Sequence, residues 1–353
     1  MISVLYRRSY KRKELKKMNK AYEEAIVMDT MGSWTMRRPT AGQNGESFID
    51  QALKNGVSVM SETIVADTDI WDWRTVLRWF DDFHWMISRF PDKMLLVETT
   101  EDILRAKREK KLGYIAMFQG ANAIFEDLAM LRLYHRLGLR TMSLTYMRGN
   151  ALGGGCEEPN DSGLTSLGKR VVAEMNRIGV AVDLSHVGYK TAMDAIRVSK
   201  KPVVCTHSNI KAVTNHFRNL PDDEIKAIAE TGGVIAITPV AIFCCDTSGK
   251  RPTVDNLIDH IEYVIEKVGV EHVGISTDRL IGDVLDEQVL LSKAAPALLT
   301  FSGLSGKHAE GFSDFSCWPK VGDRLKERGY RDEEIKSILG GNFIRVFKEI
   351  WGA

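Results

Sequence analysis

The 353 residues carry 48 Lys+Arg against 47 Asp+Glu, a formal net charge of +1. That balance excludes a general nucleic-acid binder, whose affinity rests on surplus basic charge. With 44% apolar and 27% charged residues, the composition is that of a folded globular chain and excludes a disordered, collagen-like or disulfide-scaffold protein.

The start, MISVLYRRSYKRKELKKMNKAYEEA, is basic and lacks the continuous apolar stretch of a signal peptide. It predicts a solvated helix over about 1–24. Short apolar runs then recur, each closing on a polar residue or a glycine: AIVMD (25–29), VSVMSETI (57–64), YIAMFQG (114–120), TMSLTY (141–146), AVDLSH (181–186), PVVCTH (202–207), VIAITPV (234–240) and HVGIST (272–277). They are rich in Val and Ile without strict alternation, as strands buried on both faces are. Helical patterns lie between them. WDWRTVLRWFDDFHWMISRF spaces its aromatics like one helix face, so packing is expected of it. TYMRGNALGGGCEEPNDSGLT is Gly-rich, follows no phosphate-loop pattern and predicts a long loop over the mouth of the fold. LTSLGKRVVAEMNRIG, GYKTAMDAIRVSK, PDDEIKAIAETGG and TVDNLIDHIEYVIEKVGVEH are amphipathic; the first closes on a Gly stop signal, and the third has Pro and acids at its start and Gly at its end. The tail predicts a helix, a glycine break and a final helix, closing the fold over about 322–353.

Strands alternating with helices indicate parallel βαβ units, and eight in series predict a (β/α)8 TIM-type barrel as one domain over 1–353. A doubly wound sheet would want a Gly-rich phosphate loop after the first strand. DTMGSWTMRRPTAG has neither GxGxxG nor a Walker lysine. The five cysteines, an odd number with two adjacent, suggest no disulfide framework and a reducing compartment. No apolar run is long enough to span a bilayer. A cytoplasmic protein without membrane or nucleic-acid partners is expected.

In a barrel the chemistry sits at the C-terminal ends of the strands. Those ends read Asp29, Glu62, Gln119, Tyr146, His186, His207 and Asp278. Two of the eight histidines close consecutive strands, as DLSH and CTHS, and a later strand closes in STD. Neutral imidazoles bind zinc or iron(II), and a carboxylate beside a bound water can take its proton. Together they are the makings of a metal-assisted hydrolase site. Asp278 would alternatively be a helix N-cap. His84, His135, His216, His260 and His308 fall in predicted helices or loops and read as surface or packing residues.

At these residues the sequence resembles the membrane (renal) dipeptidase family, a branch of the metal-dependent amidohydrolase-like barrels. The resemblance runs from IVMD to GGNFIRVF. It is strongest in HRLGLRTMSLTY, GLTSLGKRVVAEMNRIGVAVDLSHVGYKTAMDAI, PVVCTHSNIKAVTNHFRNLPDDEIKAIAETGGVIAI and HVGISTD. It implies two zinc ions joined by a glutamate, one held by a DxHxD motif on the first strand and the other by His186 and His207. It further implies Arg218 on a substrate carboxylate and Asp278 as the catalytic aspartate.

The departures are informative. The first-strand motif reads DTMGS, with Met31 at the histidine position and Ser33 at the second aspartate. A thioether and a hydroxyl are poor zinc ligands. Gln119 stands for the bridging glutamate and Tyr146 for a substrate-binding histidine. The expectation is a dipeptidase-like metallohydrolase acting on a small carboxylate-bearing amide. One divalent ion, zinc first and iron second, would be held by His186 and His207 with Gln119 or Asp278. Tyr146 and Arg218 would meet the substrate. A diverged isomerase, lyase or other hydrolase, and a non-catalytic binding protein, remain alternatives. A homo-oligomer is compatible with all three.

Overall fold

The computed structural model describes residues 19–33, 46–67, 72–245, 250–278 and 308–352. Its strands are β1 (Val27–Ser33), β2 (Val57–Ala66), β3 (Met94–Leu96), β4 (Leu112–Gln119), β5 (Leu139–Ser143), β6 (Ala181–Asp183), β7 (Val204–Cys205), β8 (Val234–Ile237) and β9 (Val273–Ile275). All pair in parallel in the order β1-β2-β4-β5-β6-β7-β8-β9, with β3 beside β4. The ends of this path nearly meet. The Asp278 N–H donates to Met31 O at 2.7 Å, and Asp29 accepts the Thr277 N–H at 2.8 Å. The eight-stranded path is the expected TIM-type barrel.

Several strand bounds differ from expectation: β5, β6, β8 and β9 end at Ser143, Asp183, Ile237 and Ile275, before the ends of their apolar runs, and three further details stand out. β1 runs four residues beyond Asp29, because the Asp29 carboxylate is satisfied across the seam by the Thr277 amide and hydroxyl. β3 is a three-residue strand whose MLL pattern is too short to carry a period. β7 has only two paired residues, and Thr206 and His207, which follow them, are in a bend.

The helices follow their patterns. Trp73–Arg89 buries Val76, Phe80, Phe83 and Met86, one face at helical spacing. Ser166–Ile178 is capped by Thr165 and stops at Gly179, whose φ is 81°. Asp222–Glu230 starts after Pro221 with three acids in its first turn, and Val254–Val268 opens on a Thr253/Asn256 capping box. Of the predicted N-terminal helix, Lys20–Glu24 is helical and 1–18 lie outside the described residues. No helix among the described residues is long and apolar enough to cross a membrane.

The barrel has an apolar and a polar end. Met28, Val59, Ile115, Ala181, Val204 and Val234, early residues of six strands, cluster with Phe343, Val346, Phe347 and Ile350. The last four lie on the final helix, Asn342–Trp351, which thus packs across the N-terminal end. The chain reaches that helix through a π-turn at Ser337–Gly341. There a Cβ on Gly340 would lie 2.2 Å from the Ile26 carbonyl, so only glycine lets the tail approach β1. The closure leaves the opposite end for polar groups. Phe343→Ala, which empties a 1%-exposed ring site, is expected to cost about 3–5 kcal/mol in urea unfolding.

Candidate active site

The ends of β6 and β7 bring His186 and His207 together. Their Nε2 atoms face each other at 2.7 Å, with ring centroids 4.8 Å apart. Each ring is held from its far side. His207 Nδ1 lies 2.8 Å from Thr206 Oγ1, whose hydroxyl donates to Asp183 Oδ2 at 2.6 Å. With its proton committed, the threonine oxygen accepts, placing the His207 proton on Nδ1. Asp183 is fully buried and also accepts from Ser143 Oγ, the Ser185 N–H and the Thr206 N–H. It therefore fixes three successive strand ends at once.

Arg218 supports the other ring. Its Nε donates to His186 Nδ1 at 3.3 Å, Nη1 to Ser208 Oγ at 2.6 Å and Nη2 to His207 O at 2.6 Å. The Met147 thioether sulfur also sits 3.1 Å from His186 Nδ1. Burial, followed by the Arg218 charge, holds both imidazoles well below the usual histidine range, so both are neutral at pH 7. Tyr146 lies over His186, ring centroids 4.3 Å apart. Burial and then Asp278 push its phenol well above the usual range.

The loop that carries Arg218 is anchored inside the protein. His260 Nδ1 accepts the Ile210 N–H at 3.1 Å, His216 Nδ1 accepts the Arg218 N–H at 3.1 Å, and Asn219 Nδ2 donates to the Thr214 and Phe243 carbonyls. His216 and His260 are thus buried packing residues rather than surface ones. His308 is closer to the site than its sequence context suggests, its Nε2 lying 3.1 Å from the carbonyls of both Thr277 and Asp278.

Gln119 stands elsewhere. Its Nε2 donates to Thr63 Oγ1 at 2.9 Å and lies 3.5 Å from Met31 Sδ, which also takes the Thr63 hydroxyl at 3.2 Å. The strand ends of β1, β2 and β4 therefore hold a neutral, mutually bonded trio. Among the described residues, no group of three or more His, Cys, Asp or Glu side chains is arranged to hold a metal. Asp278 ends the seam beside β1, at φ 48°, and lies near enough to Tyr146 to raise its pKa.

Of the residues singled out in the sequence, the fold brings His186, His207, Arg218 and Tyr146 together. It missed Met147 and Thr63, ordinary residue types brought into place by chain reversal and cross-strand register. Thr206 and Asp183 had a faint signal, each lying within a histidine motif, CTHS and DLSH.

A profile of the family described as membrane dipeptidase (peptidase family M19) matches residues 27–291 and 299–352. Dipeptidase tcpJ of Claviceps purpurea (strain 20.1) is 30% identical over 267 residues, 75% of this chain and 57% of that protein. Dipeptidase verJ of Clonostachys rogersoniana is 30% identical over 288 residues, 81% of this chain and 68% of that protein. The chain thus spans about three-fifths of the length of the curated relatives it matches. An amidohydrolase from Pseudomonas aeruginosa superposes with a TM-score of 0.84 at 28% identity, covering 94% of this chain and 98% of that one. A metallo peptidase from Rhodobacter sphaeroides, liganded with a phosphinate mimic of the dipeptide L-Ala-D-Ala, shares the fold with a TM-score of 0.77 at 22% identity, covering 93% of this chain and 100% of that one.

His260 yields a pH signature. Burial lowers its pKa to about 3, against about 6.5 in an unfolded chain. Below pH 6.5 the unfolded state therefore takes up a proton that the folded state refuses, and stability falls until about pH 3. Between pH 7 and 4.5 the native chain should lose about 2 kcal/mol more unfolding free energy than His260→Gln, by urea titration at both pH values.

Proposed function

The chain belongs to the membrane dipeptidase family, and from that premise we propose that it is a metal-dependent hydrolase of a small carboxylate-bearing amide, using one divalent ion rather than two. The observation that carries this reading is the facing pair of neutral imidazoles, His186 and His207, at 2.7 Å beside a buried Arg218.

The donor chemistry distinguishes the two family positions. Met31 offers a thioether and Gln119 an amide already bonded to Thr63, neither of which balances a dication. His186 and His207 fit. The His207 proton is already on Nδ1. His186 would hold its own on Nδ1 toward the Met147 sulfur, freeing both Nε2 lone pairs for a zinc or iron(II) ion. A divalent cation held by His186 and His207 would supply Lewis acidity and lower the pKa of a water. Gln119 is not needed as a ligand in this reading.

The chain's own groups do the rest. Arg218 has two N–H donors beyond its three bonds and binds the substrate carboxylate with them. That carboxylate is a better acceptor than His186 Nδ1, so its arrival favours the His186 tautomer that a cation needs. Asp278 takes the proton of the attacking water and returns it to the leaving amine nitrogen. Tyr146 stays a neutral phenol and orients the substrate by hydrogen bonding. The buried site excludes bulk water, which strengthens each of these contacts. Five free cysteines support a reducing, cytoplasmic setting.

Two outcomes are expected. Protein handled in excess zinc should hold at most about one ion per chain, and ordinary L-L and L-D dipeptides should turn over about 10³-fold more slowly than two-metal chemistry allows. Met31→His, Ser33→Asp and Gln119→Glu together should raise both quantities. Elemental analysis and a hydrolysis assay decide it, and two tightly held ions in the native chain would refute the reading. Separately, Arg218→Met should weaken a carboxylate-bearing ligand by about 2–4 kcal/mol in calorimetry, the loss expected when one partner of a buried charge pair is removed.

A further inference from the structure

A cavity of about 490 Å³ lies against Arg218, bounded by the Gly-rich loop, the segment after β6 and the Arg218 loop. Arg218 lines it, as does Glu224, in the first turn of the Asp222–Glu230 helix. Glu158, Asp161 and Asp223 add three more carboxylates to the wall, and Lys211 is the other cation.

Three of these carboxylates are committed to structure. Glu158 Oε1 accepts the Gly149 N–H at 2.7 Å. Asp161 accepts from the Gly163 N–H and from the amide and hydroxyl of Thr191. Asp223 accepts the Glu224 N–H at 3.1 Å and the Tyr189 hydroxyl. Glu224 differs. It is 3% exposed, and its Oε1 is buried without a hydrogen-bond partner. Burial first, then Asp223 and Asp161, raise its pKa to about 8 against the opposing pull of Arg218 and Lys211. A buried carboxyl with an unused acceptor is unfavourable unless something else completes it. Structural packing alone would be served better by an apolar residue at this position.

We infer that this cavity is the subsite for a cationic side chain, an ammonium or guanidinium, on the residue whose carboxylate Arg218 holds. Arg218 and Glu224 line one space, and Glu224 carries the opposite charge once a bound cation ionises it, so together they select a basic amino acid by its two ends. Lysine-type residues in the carboxylate-bearing position are the substrate class. This rests on the proposed role of Arg218. The cation's charge favours the ionised form of Glu224, which is mostly protonated at pH 7, so binding releases a proton. The other titratable groups lining the cavity with Glu224 are Asp161, Asp223, Glu158, Cys156, Tyr189, Lys211 and Arg218.

Isothermal titration calorimetry of the full chain with equimolar zinc at pH 7 tests this, using L- and D-lysine against L- and D-norleucine. Lysine of one hand should bind at least about tenfold more tightly than its norleucine counterpart, with a heat that varies with buffer ionisation enthalpy. Glu224→Gln should bring the two ligands within about twofold and abolish the buffer dependence, leaving norleucine unchanged. Arg218→Met should weaken both ligands alike. Equal binding of lysine and norleucine, a preference that survives Glu224→Gln, or no binding of any of the four would overturn the subsite. Hydrolysis of alanyl-lysine and alanyl-norleucine is scored separately. If neither is cleaved while the lysine preference stands, the reaction assignment fails and the subsite does not.

Discussion

Arg218 carries a full positive charge at 3% exposure, and such a charge is tolerated only where its donors are met and its field is useful. Its three bonds reach a ring nitrogen, a hydroxyl and a main-chain carbonyl. No carboxylate accepts from it among these, so its field is not neutralised at contact. That field makes His186 and His207 harder to protonate. The internal anchors at Ile210, Arg218 and Asn219 fix the loop, so the guanidinium is positioned before any ligand arrives. Preorganisation of this kind avoids an ordering penalty on binding.

On the opposite side of the mouth the chain has settled into a neutral arrangement. Gln119, Thr63 and Met31 satisfy one another where β1, β2 and β4 end. An amide donor, a hydroxyl and a soft sulfur form a self-consistent set with no charge to compensate. Reintroducing a carboxylate at one of these positions alone would bury an ion among partners chosen for its absence. Met31 and Gln119 are thus coupled through Thr63, which is why a concerted change at Met31, Ser33 and Gln119, rather than any one of them, is expected to build a cation site.

The barrel was legible because its strands, buried on both faces, read as short apolar runs, and because each helix carried its own start and stop residues. His186 and His207 stood out since a histidine closing an apolar run has no packing reason to be there. β3 was hidden by its length, and the extension of β1 by a charged Asp29 whose partner lies 248 positions away. Met147 and His308 were invisible for a related reason. Their proximity to the site is made by loops and by closure of the sheet, and neither leaves a periodic trace. Glu224 read as one more acid at a helix start, where acids are common; only its burial distinguishes it.

Three residues around the mouth share an unusual backbone. Met147, His186 and Asp278 have φ of 53°, 68° and 48°, in the left-handed region that a side chain with a Cβ enters at a cost of about 1–3 kcal/mol. Glycine enters it without that penalty, and asparagine with less. A programme of directed evolution that rewarded heat resistance alone would therefore meet three ready gains here, each deleting a side chain from the mouth. On the proposed function, thermal selection and chemical selection would pull in opposite directions at the same three codons, and a library scored on melting temperature alone would drift toward sturdier barrels with an emptier mouth.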